Sequence, residues 1–155
     1  MSVEPREVVR SVHAAYRDLV ENDFALFEVD ANERSLTHKL AEHLQRQFPD
    51  WHVDCEYNRK GELPKRLKVT TVRTNNTDGG TVFPDIIIHH RKTNENLVVI
   101  EAKKNSTVGT GDVEEKLRTY ISDHGYRFAF VVVFPVGDKA SEANEKKDVR
   151  EVVDE

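Results

Sequence analysis

The chain has 155 residues, and its 28 acids against 23 Lys and Arg leave a formal net charge of −5. That length suits one domain with its own core, and the acidic balance argues against a general basic coat for nucleic acid. Seven Gly and five Pro exclude a low-complexity chain, and the lone Cys55 excludes an internal disulfide, which favours a reducing, cytoplasmic compartment.

The N-terminus is charged and does not read as a secretory leader. Residues 5–22 predict a helix, with Pro5 in its first turn and Val8, Val9, Val12, Ala15, Tyr16 and Leu19 at helical spacing. Phe24, Leu26 and Phe27 form a short apolar link. A second helix starts near Asp30 or Asn32 and stops at about Phe48, before Pro49. Trp51, Val53, Cys55 and Tyr57 alternate with His52, Asp54 and Glu56, as in a half-buried strand with Cys55 in the core.

Residues 58–80 read as a loop, with a short extra strand around Leu67–Val72. Val82–Ile88 and Leu97–Ala102 predict a hairpin. Asp112 is expected to cap a third helix that carries Val113, Leu117, Tyr120 and Ile121 on one face and stops at Gly125. Phe128–Phe134 is an apolar strand, buried on both faces. With Pro135 and Val136 it makes the longest apolar run, nine residues, too short to cross a bilayer, so no membrane partner is expected. The tail, 137–155, holds seven acids and four bases and reads as a solvated helix or as disorder. The order is α-α-β-β-β-α-β, one α/β domain over 1–155 with a mixed sheet.

Chemistry concentrates in Pro84-Asp85 and Glu101-Ala102-Lys103. Side chains alternate along a strand, so Glu101 and Lys103 share a face, one pleat apart. If the hairpin turn is centred on Thr93, Asp85 falls directly opposite Glu101. Opposed Cβ atoms lie about 4.5–5.5 Å apart, where like charges repel. Two carboxylates held together need a cation between them. An oxygen-only pair favours a hard ion, Mg²⁺ or Mn²⁺, which in turn suits a phosphate substrate. Such an ion acidifies water and stabilises charge on phosphorus oxygens.

Pro84-Asp85, a gap of fifteen residues, then Glu101-Ala102-Lys103 on a hairpin resembles the PD-(D/E)XK nuclease superfamily, the restriction-endonuclease-like fold. The element order from Glu33 to Phe134 is similar to that superfamily's α-β-β-β-α-β core, with an extra N-terminal helix. The resemblance implies metal-dependent hydrolysis of DNA phosphodiester bonds. It makes Asp85 and Glu101 metal ligands and Lys103 the catalytic lysine. Many members carry a further acid on the helix before the first core strand, and here that acid is Glu33. The helical wheel agrees: Leu36, Leu40, Leu44 and Phe48 all fall within about 60° of Glu33, so the acid sits in the apolar stripe. The competing reading is a capping box formed by Asp30 and Glu33.

Further candidates are weaker. Asp54 and Glu56 share the polar face of their strand, where they either approach the metal or face solvent. Lys116 borders the buried stripe of its helix, placed to reach a phosphate or Glu101, or to lie along the core surface. Arg59, Lys60, Lys65, Arg66, Lys68 and Arg73, against Glu62 alone, make a basic segment suited to a phosphate backbone. Arg91 and Lys92 add to it at the hairpin tip. Adjacent His89 and His90 point to opposite sides and cannot chelate as a pair; they are structural or contact phosphate. Gly109-Thr110-Gly111 lacks the Lys and spacing of a phosphate loop.

The expected function is therefore a Mg²⁺-dependent DNA endonuclease using a metal-activated water. DNA is the partner, RNA stays open, and a homodimer would supply two sites for a double-strand break. A catalytically silent module that binds DNA or a protein is the rival, and a purely structural Glu101–Lys103 ion pair is the third reading.

Overall fold

Pro5 opens helix α1 (Pro5–Asn22) in a computed structural model that describes residues 3–56, 83–105 and 110–154. Val8, Val12, Ala15, Tyr16 and Leu19, three and four residues apart, are its buried stripe, as the spacing predicts. The expected apolar link is a short helix, α2 (Phe24–Glu28), which buries Phe27. Helix α3 (Glu33–Gln47) is capped by Asn32, whose side chain accepts the Ser35 N–H at 2.7 Å. Such a cap contributes about 1 kcal/mol. The Asp30–Glu33 capping box is not formed. Asp30 sits in a left-handed turn (φ +55°) two residues before the cap, and its carboxylate is held by Lys104 Nζ at 2.7 Å.

Strand β1 (His52–Cys55) is shorter than the alternation predicts, because Glu56 adopts φ +46° and ends it. Strands β2 (Ile86–His89) and β3 (Asn96–Lys104) form the expected hairpin, although Phe83 and Pro84 precede β2 and do not join it. Helix α4 (Thr110–His124) begins before Asp112, so that acid lies in the first turn and is not the cap. Gly125 ends α4 with φ +71°, a conformation that favours glycine. Strand β4 (Phe128–Phe134) has the predicted bounds.

The tail departs from expectation. A 3₁₀ turn (Gly137–Glu142) and a short helix α5 (Glu145–Asp148) lead into a fifth strand, β5 (Val149–Val152). Val149 and Val152 are buried, and so is Asp148, which accepts the Asn144 N–H at 2.8 Å and lies 2.7 Å from the Tyr16 hydroxyl. Two valines among many charges read as solvated until β4 supplies an edge for them.

The strands lie in the order β1-β2-β3-β4-β5. β3 and β4 are parallel across the α4 crossover, and the other neighbours are antiparallel. One face, with Ile86, Ile88, Val98, Ile100 and Phe130, packs under α1, α2 and α3. The other, with Ile87, Val99, Ala129 and Val131, packs under α4. The protein is thus an α/β fold with a five-stranded mixed sheet flanked by helices. Among the described residues no helix is long and apolar enough to cross a membrane.

Candidate active site

The start of β2 lies beside the end of β3. Ile86 pairs with Ile100, Ile87 with Val99 and Ile88 with Val98, and one step outward the same register sets Asp85 against Glu101. This is the pairing that a turn at Thr93 predicts. Backbone N–H groups hold both carboxylates. The Asp85 N–H donates to Glu101 Oε2 at 3.1 Å, and the Ala102 N–H donates to Asp85 Oδ2 at 2.8 Å. Each carboxylate therefore has one oxygen fixed by its neighbour's strand.

Glu101 is 1% exposed. Its second oxygen, Oε1, accepts from Lys116 Nζ at 3.0 Å, so the ion pair runs to α4 and not to Lys103. Lys103 lies on the Glu101 face, half-buried, and makes no hydrogen bond or ion pair among the described residues. Burial, followed by the charge of Glu101, pushes the Asp85 carboxyl up to about 7. The Ala102 N–H and Lys116 oppose that shift, and the charge of Glu33 adds to it.

Glu33 opens α3 and lines a pocket of about 380 Å³ with Asp85, Glu56, Thr37 and Arg34. Glu56 enters this pocket because its positive φ turns it out of the strand; its N–H donates to the Asp85 carbonyl at 3.0 Å. Asp54, expected on the same side, points elsewhere. It is bound by buried His89 Nε2 at 2.7 Å and by Arg91 at 2.6 and 2.9 Å, which hold its carboxyl well below the usual range against the effect of burial. The predicted third acid thus joins the pocket, and Glu56 comes with it. No group of three or more His, Cys, Asp or Glu is drawn close enough to hold a metal among the described residues.

Other expectations resolve simply. His89 is structural through Asp54, and His90 stacks on Trp51. Cys55 is exposed and not in the core, because β1 is a short edge strand. Arg59, Lys60, Lys65, Arg66, Lys68 and Arg73 lie outside the described residues, as do Tyr57, Leu67–Val72 and Gly109.

Two features escaped the sequence reading. Lys104 Nζ reaches Asp30 Oδ1 at 2.7 Å and the Ala31 carbonyl at 3.3 Å, which ties the turn that presents Glu33 to the end of β3. Spacing places Tyr120 on the apolar face of its helix. It is fully buried, its hydroxyl has no hydrogen bond among the described residues, and Glu101 and Asp85 both act on it electrostatically. The available signal was the four-residue step from Lys116 to Tyr120, which stacks both on one side of α4.

No protein-family model matches the chain, and neither a curated protein nor a solved structure matches it.

Proposed function

We propose that the chain is a metal-dependent DNA endonuclease built on a restriction-endonuclease-like core. The observation that carries this reading is the opposition of Asp85 and Glu101, with Glu101 held by the Asp85 N–H at 3.1 Å and Asp85 by the Ala102 N–H at 2.8 Å. Like charges in that position resist each other, and a divalent cation is the chemistry that relieves them. The donor chemistry suits a hard ion: carboxylate oxygens from Asp85 and Glu101, with Glu33 lining a pocket beside Asp85.

Mg²⁺ or Mn²⁺ held there supplies an acidified water and charge stabilisation on phosphorus oxygens. Asp85 and Glu101, each with one oxygen fixed by a backbone N–H, would hold it. Lys103, with its ammonium unengaged among the described residues, neutralises the charge that builds on the phosphate during attack. Arg34, exposed at the pocket rim, meets the phosphate backbone outside the site.

A second reading rests on Lys116. Its ammonium already lies 3.0 Å from Glu101 Oε1 and supplies a positive charge at the acid pair. On that reading the chain is a silent nuclease-fold module that binds DNA or a protein partner.

Plasmid DNA incubated with Mg²⁺ separates the two. Cleavage by the wild type, abolished by Asp85→Asn and strongly reduced by Lys103→Ala, is the expected result. Absence of cleavage, with no Mn²⁺ binding by calorimetry, would overturn the endonuclease in favour of the module.

A further inference from the structure

The far end of the sheet from the acid pair holds a second pocket, of about 280 Å³. It lies between Asp50-Trp51, which leads into β1, the β2–β3 turn, and the Gly125–Arg127 corner that leads into β4. Asn96 starts β3 there and Glu101 comes five residues later, about 17 Å along the strand.

One wall is aromatic and rigid. The Trp51 and His90 rings stack with centroids 3.9 Å apart and 5° between planes. His90 is held at both nitrogens, by the Asp50 carbonyl at 2.9 Å and by the Glu95 carboxylate. At Gly125 an added Cβ would meet nothing within 4 Å, so the pocket keeps open space at that corner.

The polar lining is mixed: His90, Glu95 and Asn96 are spent on hydrogen bonds, and two charges remain. The Arg127 side chain is exposed and makes no ion pair or hydrogen bond among the described residues. The Asp50 carboxylate makes no ion pair or hydrogen bond among them, though its charge acts on His90, and Asn94 also lines the pocket. A bare phosphate suits Arg127 but is repelled by Asp50, and an aliphatic chain leaves both charges unanswered. A flat ring that carries hydrogen-bond donors and acceptors on its edge answers the wall and both charges at once.

The geometry points to a nucleobase-binding pocket formed by Trp51, His90, Arg127 and Asp50. Guanine is the expected preference. It alone among the common bases offers adjacent acceptors, O6 and N7, to a guanidinium and adjacent N–H donors to a carboxylate. The base arrives either as a free nucleotide or as part of a strand. The pocket does not depend on the endonuclease reading.

Trp51 is the only tryptophan in the chain, so its fluorescence reports on this wall. The full chain, without divalent metal, is titrated with guanosine 5′-monophosphate, guanosine, uridine 5′-monophosphate, ribose 5-phosphate and a short guanine-containing single strand. Saturable change with both guanosine compounds, weaker with the uridine nucleotide and none with ribose 5-phosphate, is expected. Arg127→Gln and Asp50→Asn, both checked for folding by circular dichroism, should each weaken binding about tenfold. Saturation by the strand alone, still lost in Arg127→Gln, assigns the base to a nucleic acid. Equal response to ribose 5-phosphate, no response to any probe at millimolar concentration, or indifference to both variants overturns the pocket. Asp85→Asn protein should give the wild-type curve, so the two functional readings fail separately.

Discussion

The Lys116 ammonium on α4 lies 3.0 Å from Oε1 of Glu101 on β3, and only 2% of the Glu101 side chain is exposed. It is the one cation that the described residues place on Glu101. A buried pair of this kind adds little over an apolar substitute, but breaking it strands the remaining charge.

Lys116→Met should therefore destabilise the fold by about 3 kcal/mol, measured by urea denaturation without divalent metal. Mg²⁺ should restore more stability to this variant than to the wild type, because the emptied position leaves Glu101 dependent on the ion. Equal Mg²⁺ effects on both proteins would show that no ion reaches Glu101.

Asp85 carries a pH dependence of its own at the acid pair. Its carboxyl is pushed up to about 7 in the fold, chiefly by burial and then by Glu101, against about 4 in an unfolded chain. The folded state holds the proton more tightly, so this stabilising effect is complete below about pH 4 and is lost as pH rises to about 7. Asp85→Asn removes it. Without metal, the variant's stability relative to wild type should climb by about 2 kcal/mol between pH 4 and 8, discounted for the partial exposure of Asp85. A flat difference across that window would refute the shift. Saturating Mn²⁺ should suppress the climb, because the ion replaces the proton.

Lys103 and Lys104 make a contrasting pair. They are adjacent on β3 and so face opposite sides of the sheet. Lys103 is unengaged among the described residues, whereas Lys104 holds Asp30 and the Ala31 carbonyl. Lys103→Ala should change stability by less than about 0.5 kcal/mol while removing most cleavage. Lys104→Met should cost about 1 kcal/mol and lower kcat more than KM, because the turn presenting Glu33 loosens. Denaturation curves and cleavage kinetics on both variants check the split, and similar profiles for the two would refute it.

Much of this site was legible before folding. The strand alternation placed Glu101 and Lys103 on one face, and a turn at Thr93 paired Asp85 with Glu101. Glu33 stood out because an acid in the middle of an apolar helical stripe conflicts with the pattern around it. Legibility failed where partners lie far apart in sequence. Asp54 and Glu56 share a strand face by parity, yet φ +46° at Glu56 sends one acid to the pocket while His89 and Arg91 take the other. The Asp30–Glu33 spacing matched a capping box, but Lys104, 74 residues away, took Asp30 and left the cap to Asn32. β5 was missed because Val149 and Val152 become apolar surface worth burying only beside β4.

The amino-acid order by itself foretold helices α1, α3 and α4 and the pairing of Ile86, Ile87 and Ile88 with β3, because each follows from spacing within one or two elements. Only the tertiary structure chose the partners: Glu101 from the alternatives open to Lys116, Lys104 for Asp30, Tyr16 for Asp148. Spacing along a chain sets which way a side chain points, whereas the charge or hydroxyl it meets comes from an element brought there by packing.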